Sequence, residues 1–519
     1  MKSRNNLKRV WLLGMATLCT LAVFAQITTE KMQQFVTQDK QTVASDKIKE
    51  FYKLYKYNTA WINRENAGNL NVLFTEITKA PYLALNAKDY AYTYLAAIQN
   101  GQENLKNTED SLEAEIRITD AALHFYGDIV YGNTKPAFGY NGLKYTPDCL
   151  NIPALLAAYI TLNKLPSLAS AISPTILEVS VIENKIKQLL TVMAQNNFAE
   201  QTITSNKINA NNSALITKLY QLGIINETEK SLPDNTLKQK LKEAQKQFGL
   251  LADGVLRTTI LKELNVPVAV RLKQLMLALN YYRWLNCVTQ NQSVIVVNLP
   301  AAYLKVYKNS KTIFEMRVIV GKKATPTPTL TSKIDEVVLY PYWHVPYKIA
   351  TKELLPSIKR NPGYINKNNY QVLNSAGNIV NPYSVNWRSL SAGYFPYTIR
   401  QSTGCDNALG LLKLNFYNPF SVYLHDTPNK NLFSMNKRFF SHGCMRMEKP
   451  MDIGHLVLKN NNIAIDTLEQ KGCLRNQSPI FVKADVQMPV IVWYNPVGID
   501  AEKRVIFYED IYGKFNWMH

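Results

Sequence analysis

The hydrophobic rhythm of this 519-residue chain changes at Gln292, and the change limits what each half can fold into. Upstream, apolar residues recur at spacings of three and four. Phe51, Tyr52 and Tyr55 lead to Trp61, and Ile116 leads through Ala121, Ala122 and Leu123 to Phe125 and Tyr126. That period turns one face of an α-helix toward a core. Downstream, residues 293–298, 303–307, 313–318, 337–340, 421–425, 489–494 and 505–508 read as strands, and the turn Lys308-Asn309-Ser310-Lys311 joins two of them in a hairpin. The expected fold class is multidomain α+β, helical first and mostly β afterwards. A chain of this length is too long for one ordinary core and suggests about three domains.

Two segments stand apart from that division. In residues 234–285, Leu237, Leu241, Ala244 and Phe248 give one helix face. An Asp253-Gly254-Val255 turn follows, and Thr258 caps a second helix carrying Ile260 and Leu264. Between Pro341 and Arg400 the strand rhythm stops. A short amphipathic helix over 349–359 gives way to Asn361-Pro362-Gly363-Tyr364 and a loop rich in Asn, Ser and Gly. A stretch this long without sheet, inside a β domain, either serves function or lies disordered. Its aromatics Tyr342, Trp343, Tyr347, Tyr364, Trp387 and Tyr394 suit a cover over a groove, or ordinary packing.

With 46% hydrophobic and 19% charged residues, the chain reads as globular. The formal charge of +20 comes from scattered lysines, which argues against nucleic acid as a partner. Lys2, Arg4, Lys8 and Arg9, an apolar run over 10–24 and the small Ala25 read as a secretory signal peptide over 1–25. An uncleaved anchor is the alternative, but the apolar run is shorter than the ~20 residues a spanning helix needs. Without Cys19 five cysteines remain, with no C-x-x-C pair, so a disulfide framework is not expected. An odd number in an exported chain leaves at least one free thiol. A Cys405–Cys444 disulfide would silence whatever chemistry Cys444 performs.

That chemistry is written in Ser441-His442-Gly443-Cys444-Met445-Arg446. Fifteen residues separate Ser441 from His425, which sits in Tyr423-Leu424-His425-Asp426-Thr427-Pro428. One cysteine beside a glycine, with a histidine on a neighbouring segment, is what thiol acyl transfer needs. The thiolate attacks, the imidazole carries the proton, and backbone N–H groups of the Gly-Cys turn hold the oxyanion. A free thiol ionises near pH ~8.5, and a His⁺ neighbour would lower that value. A zinc site is not expected: His-x-Cys lacks a second close pair, and His124, His344, His455 and His519 have no ligand spacing to it. No metal and no cofactor are expected.

With Pro341-Tyr342-Trp343, Asn407-Ala408-Leu409-Gly410 and Arg446 around it, this motif resembles that of the L,D-transpeptidases. These are YkuD-type cysteine enzymes that cross-link peptidoglycan, and the similarity is to their large multidomain periplasmic branch. The resemblance implies a helical scaffold domain over 26–230 and a three-helix peptidoglycan-binding-like domain over 231–288. It further implies a catalytic domain over 289–500 with a substrate-capping lid at 341–400, and a C-terminal strand and tail over 501–519 packing on the scaffold or catalytic domain. Cys444 would be the nucleophile and His425 the base, with Gly443, His442 and Ser441 forming or supporting the oxyanion hole. Tyr423, Arg446 and Asp426 would lie on the substrate side. Arg446 would bind a stem carboxylate or brace the loop, and Asp426 would orient imidazoles or cap a turn.

The implied reaction makes a thioester with a tetrapeptide stem, releases D-alanine and passes the acyl group to a neighbouring stem amine as a 3–3 cross-link. Water in place of the amine would give a carboxypeptidase. Donor and acceptor stems are the expected partners, with envelope proteins possible, for a periplasmic monomer whose basic surface suits anionic stems. A wall-binding scaffold without catalysis is the alternative. Thr403, Cys405 and His344 depart from the family pattern near the lid.

Overall fold

The structure is a computed structural model that describes residues 27–515 apart from 38–44, 64, 65, 104, 147, 207, 209, 210, 230, 231, 460 and 461. The expected signal peptide and His519 lie outside the described residues. Two compact units emerge.

The first unit comprises the described part of Met1–Thr78 with Ala87–Phe125 and Ile152–Leu168. Helices Asp46–Leu54, Ala67–Thr78, Tyr92–Gln99 and Ile152–Thr161 and the first part of the long helix Thr108–Tyr131 build it. Phe51, Tyr52, Trp61, Leu73 and Phe125 fill the core, as the three-and-four spacing requires. Glu115 sits fully buried among them. Its carboxylate accepts from the backbone N–H groups of Ala60, Trp61 and Ile62 and from the Tyr52 hydroxyl. Burial nevertheless pushes the carboxyl up to about 7.

The second unit runs through Lys79–Asn86, Tyr126–Asn151 and the described part of Ala169–His519. Helices Leu177–Met193, Ser213–Gln221, Asp234–Gln247, Thr258–Leu264 and Val268–Thr289 share one core. The helix at Thr258 starts without a side-chain cap, because Arg257 occupies the cap position and Asp253 instead accepts from Val255 N–H and pairs with Arg257.

The strands of this unit are β1 Tyr140–Asn141, β2 Val294–Asn298, β3 Tyr303–Lys308, β4 Lys311–Gly321, β5 Leu330–Leu339, β6 Trp343–His344, β7 Tyr370–Leu373, β8 Ile379–Val380, β9 Thr398–Gln401, β10 Leu412–Phe416, β11 Leu424–His425, β12 Phe439–Ser441, β13 Met445–Met447, β14 Ile480–Lys483, β15 Pro489–Trp493, β16 Val497–Ile499 and β17 Val505–Phe507. The main sheet follows the order β1-β5-β10-β11-β13-β4-β3-β2-β15. It closes on itself because the first half of β5 also pairs with β15, while its second half pairs with β10 and β14. Val297, Leu304, Val318, Val337, Leu414, Leu424 and Met445 fill the interior. The β16–β17 hairpin joins the helical core instead, with Phe507 beside Phe248 and Arg271 over both rings.

The segment expected to lack sheet has one. β6, β9, β7 and β8 form a four-stranded antiparallel sheet over a separate core of Ile358, Val372, Trp387 and Ile399. Two-to-four-residue strands paired across thirty residues of chain leave too little alternation to read. Two disulfides also overturn an expectation: Cys149–Cys287 and Cys405–Cys473 are bridged, with Cα separations of 5.3 and 5.1 Å. Their partners lie 138 and 68 residues apart, a distance at which no spacing motif signals a pair. Cys405 therefore pairs away from Cys444, which is the free cysteine among the described residues.

Candidate active site

The sheet order places β10, β11 and β13 side by side, and their register aligns three cation-forming residues in one row. Lys413 faces His425 across the β10–β11 pair, and His425 faces Arg446 across the β11–β13 pair. Two residues before His425, just ahead of β11 and on the same side of the chain, stands Tyr423. Its ring meets the His425 ring edge-on at 5.6 Å and lies 4.1 Å below the Lys413 ammonium. Cys444 sits two residues before Arg446, and the Tyr423 backbone and side chain both hydrogen-bond its thiol. The thiol, the imidazole and the phenol therefore share one small surface.

His425 is buried, and its Nδ1 lies 2.6 Å from the Asp426 carbonyl oxygen. A carbonyl only accepts, so Nδ1 carries the proton and Nε2 keeps its lone pair. Burial first, then Arg446, Lys413 and Lys430, pushes its pKa down to about 3, so the ring is neutral near pH 7. Burial also raises the Cys444 thiol above its ordinary value, against the pull of Tyr423, Lys413 and Arg446. The expected His⁺ beside a thiolate is thus not the resting form. Both partners are uncharged, and the arrangement suits proton transfer during attack rather than before it.

The turn carrying the thiol is held from below. Ser441 Oγ accepts the Gly443 N–H at 3.1 Å, and the Gly443 carbonyl accepts the Thr327 hydroxyl at 2.8 Å. Gly443 has φ +123, a conformation side chains rarely adopt. With Gly443 N–H engaged, the Cys444 N–H is the donor at this turn without a partner among the described residues. His442 points elsewhere: its Nε2 lies 2.8 Å from Glu353 Oε1 and 3.4 Å from Lys322 Nζ. Glu353 belongs to the helical turn Ala350–Leu354, which packs into the core of the four-stranded segment. Asp426 was expected on the substrate side, but its carboxylate is occupied by Lys430 Nζ at 2.6 Å and the Leu411 N–H at 2.9 Å. A Cβ on Gly410 would come within 2.3 Å of that carboxylate, so the Asn407–Gly410 turn needs glycine there. Arg446 is half-buried on the cleft face, with no ion pair among the described residues.

Residues 292–465 match the sequence family described as the L,D-transpeptidase catalytic domain, and residues 46–176 match one described as a scaffold domain. The catalytic-domain match covers about a third of this chain, within its mostly β part. Over 214 residues the chain is 36% identical to a Haemophilus influenzae protein named "Putative L,D-transpeptidase", covering 40% of this chain and 43% of that protein. The chain therefore spans less than half the length of that curated relative. An L,D-transpeptidase from Mycobacterium smegmatis is 14% identical, with 39% of this chain and 58% of that one covered and a TM-score of 0.19. A mutant of an Enterococcus faecium L,D-transpeptidase is 13% identical, with 39% and 50% covered and a TM-score of 0.18. Within residues 292–465, sequence reasoning missed Lys413, Lys322 and Glu353. Lys413 could have been found from the alternation of Leu412, Leu414 and Phe416, which marks a strand with Lys413 on its other face.

Proposed function

We propose that this protein is an exported peptidoglycan L,D-transpeptidase that works through a Cys444 thioester. The observation that carries the reading is the free Cys444 thiol on one surface with Tyr423 and a neutral His425 whose Nε2 is left as a base. As Cys444 Sγ attacks the donor carbonyl, His425 Nε2 takes the thiol proton, and the Cys444 N–H receives the developing oxyanion. The C–N bond then breaks and His425 returns the proton to the departing D-alanine nitrogen. A neighbouring stem amine reverses these steps to give a 3–3 cross-link, and water in its place gives a tripeptide. Arg446 offers a charge to a stem carboxylate, and Tyr423 steadies the sulfur. Ser441 and His442 support the turn. The segment 341–400 covers the donor, and residues 231–288 form a wall-binding-like module within a monomer. Two disulfides support an oxidising compartment such as the periplasm.

Intact-mass analysis after mixing with a tetrapeptide stem tests the reading. A thioester mapped to Cys444 is expected, absent in Cys444→Ala, with a rate loss of ~10²-fold or more in His425→Ala. A carbapenem should leave its adduct on the same residue. No mass shift from either compound would favour a wall-binding scaffold without catalysis.

A further inference from the structure

Two cations flank His425 without an anion to meet them. Lys413 and Arg446 are half-buried, and neither makes an ion pair or a hydrogen bond among the described residues. Lys413 rests over the Tyr423 ring at 4.1 Å, an attraction weaker than an ion pair. The groups whose charge it feels are first the Cys444 sulfur, a neutral thiol at rest, and then Glu336, which accepts from Asn415 Nδ2 at 2.7 Å. Burial lowers the pKa of both cations. An unpaired, partly desolvated charge is costly to hold, and two in one row beside His425 describe a receptor whose anion arrives with the ligand.

The row also gives a direction. Cys444 and Arg446 stand on one strand side, His425 on the next and Lys413 on the one beyond. Neighbouring strands lie ~4.8 Å apart. An acyl carbon on Cys444 and a leaving nitrogen at His425 Nε2 therefore aim the rest of the leaving residue toward Lys413. In an α-amino acid the carboxylate oxygens lie roughly 3.5 Å beyond the nitrogen by standard bond lengths, enough to cross to the next strand. A cleft of about 540 Å³ opens beside Lys413, Asn415 and Tyr423, with room for a small residue; Asp335 and Glu336 also line it, so Lys413 is the cation there that a carboxylate can meet.

We infer that Lys413 is the receptor for the free α-carboxylate of the leaving residue. The inference rests on the transpeptidase reading above. It adds a specificity-determining residue that the sequence motif does not contain. The chemical step is unchanged: the S–C bond forms, the C–N bond breaks, and the amino acid leaves with its carboxylate held by the Lys413 ammonium until release.

The test compares a tetrapeptide donor with the same peptide ending in a carboxamide, following thioester formation by mass. With the wild-type protein, amidation should slow acylation by about 10- to 100-fold, the range of one charge-assisted contact. In Lys413→Met both donors should react slowly and within about threefold of each other, while Lys413→Arg should recover a preference for the free acid. Equal rates for the two donors in the wild type overturn the inference without any variant. An undiminished amide penalty in Lys413→Met also overturns it, and passes the role to Arg446. A wild-type protein that forms no thioester with either donor removes the enzyme reading, and this inference with it.

Discussion

Tyr423 hydrogen-bonds the sulfur while Lys413 and Arg446 add positive potential, yet burial still keeps the Cys444 thiol protonated. This balance can be measured residue by residue. Iodoacetamide alkylation of the ligand-free protein should keep accelerating above pH ~8.5, the ordinary thiol value. Tyr423→Phe, which removes one donor to the thiolate, should move the profile up by about one pH unit. A profile midpoint at or below neutrality would mean that a preformed ion pair exists after all. The thiol and its histidine were legible because they sit in one local motif. Lys413 was not, because its place beside His425 is set by register across a strand pair, which a linear reading does not supply. Of the two roles left open for Asp426, its carboxylate takes one close to turn capping, accepting the Leu411 N–H beside Gly410, a partner distant in sequence.

At the level of elements, the inserted segment is a folded body rather than a long loop, and that changes where it can be cut. A replacement of 361–400 would strip β7, β8 and β9 and leave Ile358 uncovered. The better junction is at its root, where the Val345 N–H donates to the Ile399 carbonyl at 2.9 Å. Joining 345 to 399 through a short Gly-Ser linker should keep the main sheet folded, since β6 and β9 remain paired. Donor acylation should weaken, and the surviving turnover should shift from cross-linked dimer toward free tripeptide as water reaches the thioester. Chromatography that resolves the two products checks this, and an unchanged ratio at unchanged acylation would rule out a covering role. The helical periods upstream and the β2–β3–β4 meander were readable because each is long enough to show its repeat. β12 and β13 are three residues long and exist through long-range pairing, so they were the hardest to see, whereas β11 was read within 421–425.

Across the whole molecule, pH should act on the first unit through Glu115 as well as on the site. The folded unit holds this carboxyl at about 7, above an ordinary carboxylate of 4.5, so folding favours its protonated form. The stability it contributes is fully present below the ordinary value and is lost as pH rises through about 7. Calorimetry should therefore show the transition of this unit falling from about pH 4.5 to about 7 and levelling above that, and Glu115→Gln should flatten that slope. A variant that keeps the full slope would assign it to other groups. The disulfides act on a different axis, that of order in time. Cys149 and Cys287 are successive cysteines, whereas the Cys405–Cys473 bridge passes over Cys444. A chain oxidised from its N-terminus onward meets Cys444 first as a mate for Cys405, and the shorter loop closes at lower entropic cost. The native bridge therefore depends on β11 and β13 withdrawing Cys444 before an oxidant reaches it, or on an isomerase undoing the error. The residue proposed to break peptide bonds is also the one most able to misdirect the chain's own cross-links.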